Sequence, residues 1–192
     1  MNNILTDTLI KIIIRKRSEL VVSRIKPYIK TSKKLIDIGS GTGDVSNLLK
    51  KQGKNVTPVD VADFHGPRLL SPIIYNGITL PFPDNYFDTA LLLMVLHHTP
   101  NPKIIFDEAS RVAKKIVVIE TSYTTGTNKW FTVLSDAIGN LQFKPFWSSY
   151  KADQEWRKFF SSKDFQILDT VKYQDRNFGL PFLHIAYYLK KK

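Results

Sequence analysis

The sequence predicts an α/β fold built on a doubly wound, mostly parallel sheet. Three observations carry that expectation. Leu35 to Leu49 reads as an apolar strand, a turn with three glycines in five residues, and an amphipathic helix. Thr89 to Leu96 and Ile116 to Ile119 are nearly continuous apolar runs, as in strands buried on both faces, with a helical pattern (Ile104, Ile105, Ala109, Val112) between them. Phe165 to Tyr173 and Phe182 to Leu189 read as two closing strands, with a Gly179-Leu180-Pro181 turn before the second. A chain of 192 residues is expected to form one domain, residues 1–192, with a sizeable core.

Residues 1–30 form an N-terminal arm. Ile4 to Ile25 has helical spacing, with Leu5, Leu9, Ile12, Ile13 and Leu20 as its stripe and Lys11, Arg15 and Arg17 mostly off it. Pro27 predicts a break near Lys26. The first strand holds Leu35, Ile36 and Ile38, and the helix after the turn packs through Val45, Leu48 and Leu49. Glycines let backbone approach a ligand in conformations that side chains forbid, and the helix start favours an anionic or electron-rich partner. Lys54 to Asp60 reads as a second strand ending in a carboxylate, 17 residues beyond Gly43. Residues 121–150 then change character, with polar turn residues among Tyr123, Trp130, Phe131, Phe143, Phe146, Trp147 and Tyr150. In a doubly wound sheet the ligand crevice lies beyond the carboxyl ends of the strands, so this segment is expected to act as a lid. Its aromatics either stack on a planar substrate or form the segment's own core. Asp153 to Phe160 reads as a helix with Trp156, Phe159 and Phe160 inward.

The glycine spacing selects the ligand. A dinucleotide turn has the pattern G-x-G-x-x-G/A. Here Asp44 takes the third glycine's place, where a pyrophosphate would meet a carboxylate, and the third glycine falls one position early, at Gly43. Asp37 with Gly39, Gly41 and Gly43 resembles the first motif of the class I S-adenosylmethionine (SAM) dependent methyltransferases. Further along, Leu80-Pro81-Phe82, Phe87-Asp88 and Leu96-His97-His98 match a run similar to that of many small-molecule members. The resemblance extends in order from about Arg24 to Glu120. It implies a Rossmann-like sheet of seven strands with a C-terminal antiparallel hairpin, and SAM as cofactor. It assigns cofactor contacts to Asp37, Gly39, Ser40, Gly41, Thr42, Gly43, Asp60, Val61, Asn76, Gly77 and Met94, with Asp60 on the ribose hydroxyls. Asn76 departs from the family, which usually has an aspartate there for the adenine amino group; an amide oxygen can still accept from an amine.

Methyl transfer needs alignment of nucleophile and methyl, exclusion of water and, for many acceptors, a base. His97 and His98 follow the fourth strand, where donor and acceptor meet. One of them could be the base, or they could cap the strand end, and adjacent residues tend to point apart. Glu120, at the end of the fifth strand, is an alternative base or substrate contact. The absence of cysteine removes the cysteine-nucleophile route to pyrimidine C5 methylation and any cysteine metal site, and no metal is expected. The net charge of +11 is uneven, since residues 1–34 hold nine Lys/Arg against two acids and Lys190-Lys191-Lys192 close the chain. The arm could therefore meet nucleic acid or an anionic membrane surface, or it could be a helix with a solvated basic face. No run is apolar and long enough for a transmembrane helix, and without a targeting signal the expected compartment is the cytoplasm. The expected activity is methyl transfer to a small molecule. An RNA or protein methyltransferase, and a non-catalytic SAM-binding partner subunit, stay open as alternatives.

Overall fold

A computed structural model of the chain describes residues 4–64, 71–124, 126–139, 145–177 and 180–192. Its seven-stranded sheet has the order β3-β2-β1-β4-β5-β7-β6. The strands are β1 (Lys34–Ile38), β2 (Asn55–Asp60), β3 (Ile73–Ile74), β4 (Phe87–Leu93), β5 (Ala113–Ser122), β6 (Phe165–Asn177) and β7 (Leu180–Lys191). β1 to β5 are mutually parallel, and β7 runs antiparallel to both β5 and β6. The chain moves outward from β1 to β3, then restarts at β4 on the other side of β1. That reversal leaves a crevice at the carboxyl ends of β1 and β4.

Helices cover both faces. They are α1 (Ile4–Ile25), α2 (Asp44–Lys51), α3 (Pro102–Val112), α4 (Gly126–Gly139) and α5 (Asp153–Ser161). Side chains alternate across a strand, so neighbouring residues serve opposite cores. Leu35, Leu91, Val117 and Ile119 pack with Val21, Val22 and Ile25 of α1 and Leu49 of α2. Ile36, Ala90, Leu92, Ile116 and Val118 pack instead with Phe106 of α3 and with Trp156 and Phe160 of α5. Phe159 packs only partly buried at the edge of that second cluster.

Polar clamps fix the loops between β3 and β4. Arg111 of α3 donates through Nε and Nη2 to the two oxygens of Glu108, each at 2.8 Å, and through Nη1 to Asp84 at 2.9 Å. The same guanidinium donates to the carbonyls of Leu80 and Phe82, and Glu108 accepts from the Leu80 backbone N–H. The Leu-Pro-Phe run is thereby tied to α3. Asp88 accepts from the N–H groups of Lys33 and Lys34 and fastens the start of β1 to β4.

Several boundaries move from the sequence reading. The fourth strand stops at Leu93, because Met94 turns at φ 59° and Leu96–His98 form a short 3-10 turn. The fifth strand extends to Ala113–Ser122, since β7 pairs with it beyond the apolar run. Two elements were not located in the sequence: the two-residue edge strand β3, which completes the seven strands expected, and helix α4 within the polar 121–150 segment. The buried side of α1 is Ser18, Val21, Val22 and Ile25, whereas Ile12 and Ile13 of the expected stripe are exposed. The side chains of Leu5, Leu9 and Lys11 lie outside the described residues, as do Phe143 and Gly179.

Candidate active site

The β1–α2 turn is built by backbone hydrogen bonds and one carboxylate. The Gly39 and Ser40 N–H groups donate to the Val59 carbonyl, and Gly43 N–H donates back to the Ser40 carbonyl. Gly39 has φ +73°, and a Cβ there would stand 2.3 Å from Cγ2 of Val95. Close passage of the β4–α3 loop therefore requires glycine at this position. Gly41, at φ +55°, has nothing within 4 Å of the place a Cβ would take, so its bare backbone borders open space. Asp60, at the tip of β2, is only 6% exposed. Its Oδ2 accepts from Gly41 N–H at 2.8 Å and its Oδ1 from Val61 N–H at 2.7 Å. Asp37 accepts from the Ser46 hydroxyl at 2.7 Å, which ties the end of β1 to α2.

A cavity of about 580 Å³ opens over this turn. Asp37, Gly39, Ser40, Gly41, Thr42, Asp60, Val61 and Met94 lie on its wall, eight of the sequence-assigned positions. Gly43 stands just behind as the N-cap of α2, at φ 76°. Asn76 and Gly77 are not on the wall. The Asn76 side-chain oxygen instead accepts from the N–H groups of Ile78 and Thr79, closing its own turn. The wall at that end is Val61, Phe64 and Tyr75. Burial, with the charges of Asp60 and Glu108, pushes the Tyr75 hydroxyl up to about 12, so it stays protonated and can donate. Sequence reasoning missed the roof. Ile13, Ile14, Arg17, Ser18 and Val21 of α1 line the cavity, and Arg17, placed off the stripe by the sequence reading, faces inward. The available signal was the spacing of Ile14, Ser18 and Val21, hidden because nearly every turn of this helix carries an apolar residue.

The two histidines separate, as adjacent residues tend to. His98 borders the cavity from the β4–α3 loop. His97 is fully buried, with Nδ1 hydrogen-bonded to Oε2 of the equally buried Glu120. Glu120 Oε1 accepts from the Leu96 backbone N–H at 2.8 Å. The pair thus braces the 3-10 turn that presents His98, and neither member lies on the cavity wall. Tyr150 is buried against the His97 ring at 4.7 Å between centroids, and the Ser149 hydroxyl donates to the Thr99 carbonyl at 2.7 Å. The described part of 121–150 thereby holds the histidine loop from outside and adds no residue to the cavity wall. Trp130 and Phe131 of α4 are exposed, and the Trp130 and Trp147 rings meet at 4.4 Å. Among the described residues no group of three or more His, Cys, Asp or Glu is arranged to hold a metal, and no helix is long and apolar enough to cross a membrane.

These walls fit SAM. Asp60 has lone pairs left for a ribose diol, Gly41 presents open backbone, and Val61, Phe64 and Tyr75 add apolar and aromatic surface of the kind an adenine ring packs against. The profile of the methyltransferase-domain family matches residues 12–168. The chain is 26% identical to the ubiquinone/menaquinone biosynthesis C-methyltransferase UbiE of Paraburkholderia xenovorans, over 80% of this chain and 74% of that protein. It is 29% identical to a demethylmenaquinone methyltransferase of Tropheryma whipplei, over 50% of this chain and 44% of that protein. Among solved structures it superposes on a SAM-dependent methyltransferase of Methanosarcina mazei with TM-score 0.65 at 18% identity, covering 87% of this chain and 96% of that one. The [4+2]-cyclase SpnF is equally similar in fold, with TM-score 0.65 at 16% identity over 92% of this chain and 80% of its own. A match over most of the chain, with the walls described, leads to one conclusion: this chain belongs to the methyltransferase-domain family and is a class I SAM-dependent methyltransferase.

Proposed function

We propose that the chain methylates a small hydroxylated aromatic acceptor of the quinol type, at carbon. The observation that carries this reading is the imidazole of His98 at the tip of β4, on a cavity otherwise walled mainly by apolar side chains. A flat apolar acceptor fits such walls, and an imidazole is suited to take a hydroxyl proton near neutral pH. The likeness to UbiE and to the demethylmenaquinone methyltransferase supports the same acceptor class.

SAM, when bound, would supply a methyl group on a sulfonium, activated for displacement by the acceptor carbon with a neutral thioether as the leaving group. The protein's own residues do the rest. Asp60 holds the ribose at β2, the glycine turn shapes the floor, and α1 shields the reacting atoms from water. His98 takes the acceptor's hydroxyl proton, while Glu120 and His97 keep its loop in place.

Turnover with reduced 1,4-naphthoquinone under anaerobic conditions tests the reading. Formation of S-adenosylhomocysteine together with a C-methylated naphthoquinol is expected. Turnover with RNA or a protein, and none with the quinol, would transfer the assignment to the macromolecular alternative.

The outer side of α1 favours one addition. Ile12, Arg15 and Lys16 are exposed beside the cavity roof. This basic, partly apolar strip suits an anionic lipid surface from which a quinol could be drawn. Co-sedimentation with vesicles rich in phosphatidylglycerol, weakened by salt and by R15E/K16E, is the expected result. Salt-sensitive binding to RNA without vesicle binding would contradict it.

A further inference from the structure

Arg17 is the one lysine or arginine among the described residues of the cavity wall. Its guanidinium is poorly satisfied there. Nη2 points at Sδ of Met94 at 3.1 Å, and a thioether is a weak acceptor. Nε is buried and meets no acceptor among the described residues. A guanidinium carries five donors and cannot lose its charge. Leaving such a donor buried and unmade is unfavourable, and an arriving oxygen relieves it.

The position of Arg17 in the sheet order bears on whether this oxygen belongs to the acceptor or to the carboxylate of SAM. Asp60, Val61, Phe64 and Tyr75 suit the nucleoside of SAM at the β2 and β3 side of the crevice. Arg17 touches Met94 at the tip of β4. Its charge also reaches Tyr173 and Asp175 on β6, at the opposite edge of the sheet. Asp175 offsets part of the charge but is itself hydrogen-bonded to Nε2 of His184 at 2.9 Å. Arg17 therefore stands on the side of the crevice away from the nucleoside, on the same cavity as His98.

We propose that Arg17 is an acceptor-recognition residue, whose guanidinium receives the ionised hydroxyl oxygen of the aromatic acceptor. The inference rests on the quinol-type reading above. The acceptor's O–H bond breaks, its electron pair stays on the oxygen facing Arg17, and the proton passes to the imidazole of His98. Charge held at that oxygen enriches the adjacent ring carbon, which attacks the methyl group; the hydrogen on that carbon then leaves as a proton, its C–H electron pair restoring the aromatic ring as the oxygen is reprotonated.

The test compares two probes in the presence of S-adenosylhomocysteine: 2-hydroxy-1,4-naphthoquinone, ionised at neutral pH, and uncharged 1,4-naphthoquinone. Wild type is expected to bind the ionised probe more tightly by about tenfold or more, the scale of one charge-assisted contact. R17Q should lose that preference while keeping its melting temperature and a SAM affinity within about twofold of wild type. R17K, which keeps the charge and loses the fork, should fall between. If wild type and R17Q bind both probes alike, the inference fails and the quinol reading stands. A selective loss of SAM affinity in R17Q, with the probe preference intact, assigns Arg17 to the cofactor and overturns it too. Failure of wild type to bind either probe sinks the quinol reading itself, and the inference with it.

Discussion

Asp60 serves two structures at once. Its carboxylate already holds Gly41 N–H and Val61 N–H, so the turn is shaped before any ribose arrives. Asp60→Ala should weaken SAM by about 1.5–3 kcal/mol, the range for charge-assisted hydrogen bonds, as read by calorimetry. Asp60→Asn keeps one acceptor oxygen and should fall between. An unchanged affinity in both variants removes Asp60 from the site. His98 and His97 should separate by phenotype. His98→Ala is expected to lower kcat by about 10²–10⁴, with stability nearly unchanged, because its side chain borders the cavity. Glu120→Ala leaves the buried His97 without its carboxylate and should cost about 3–5 kcal/mol in a denaturation experiment. If Glu120→Ala is as stable as wild type but inactive, Glu120 acts on the acceptor and not on the loop.

At the level of elements, the glycine turn is limited by space. Gly39→Ala forces a Cβ to within 2.3 Å of Val95 and places an alanine at φ +73°. The left-handed backbone alone costs about 1–2 kcal/mol. The variant should therefore lose SAM binding and melt earlier, whereas Gly41→Ala, at φ +55° with open space beyond it, bears the backbone cost without the clash and should lose less of its melting temperature. Equal melting of Gly39→Ala and wild type would show that the β4–α3 loop yields. This turn was fully legible in the sequence, because strand, glycines and helix are consecutive and their chemistry is local. So were β1, β2 and the buried β4 and β5, whose apolar runs are long. Helix α1 was legible as a helix but not as a roof. Its facing depends on where the chain crosses the sheet, and that turned Arg17 inward. Helix α4 was hidden by Gly126, Thr127 and Asn128, which read as turn residues but open a helix. Asn76 read as an adenine contact because the motif is linear, while its use in closing a turn is a matter of backbone direction.

Across the whole molecule, hydrogen-bonded carboxylates, Asp88 and Glu108 among them, contribute stability that acid removes. Hydrogen bonds from the Lys34 and Lys33 backbone hold Asp88 below the usual carboxylate range. Hydrogen bonds from Arg111, outweighing burial, do the same for Glu108. Groups lowered in the folded state bind protons more readily when unfolded, so they stabilise the fold above their unfolded values, near pH 4. That contribution disappears as pH falls through their lower folded values. Urea midpoints should accordingly be flat from neutral pH to about 5 and then drop, and D88N/E108Q should show a lower plateau with a shallower acid slope. An acid slope identical to wild type in the double variant would place the titrating groups elsewhere.

The position of β7 has a consequence for how the protein is made. It comes last among the strands, yet it lies inside the sheet, between β5 and β6. Until it arrives, β5 presents an open edge of Val and Ile, and β6 has no neighbour to pair with. Such an edge is a template for pairing with another chain. Synthesis therefore passes through a stage in which most of the chain exists and its sheet cannot close, which is when aggregation competes with folding. A nascent chain stalled at Asn177 should be held by chaperones and be sensitive to protease, and release of the β7 segment should end both within the folding time of the domain.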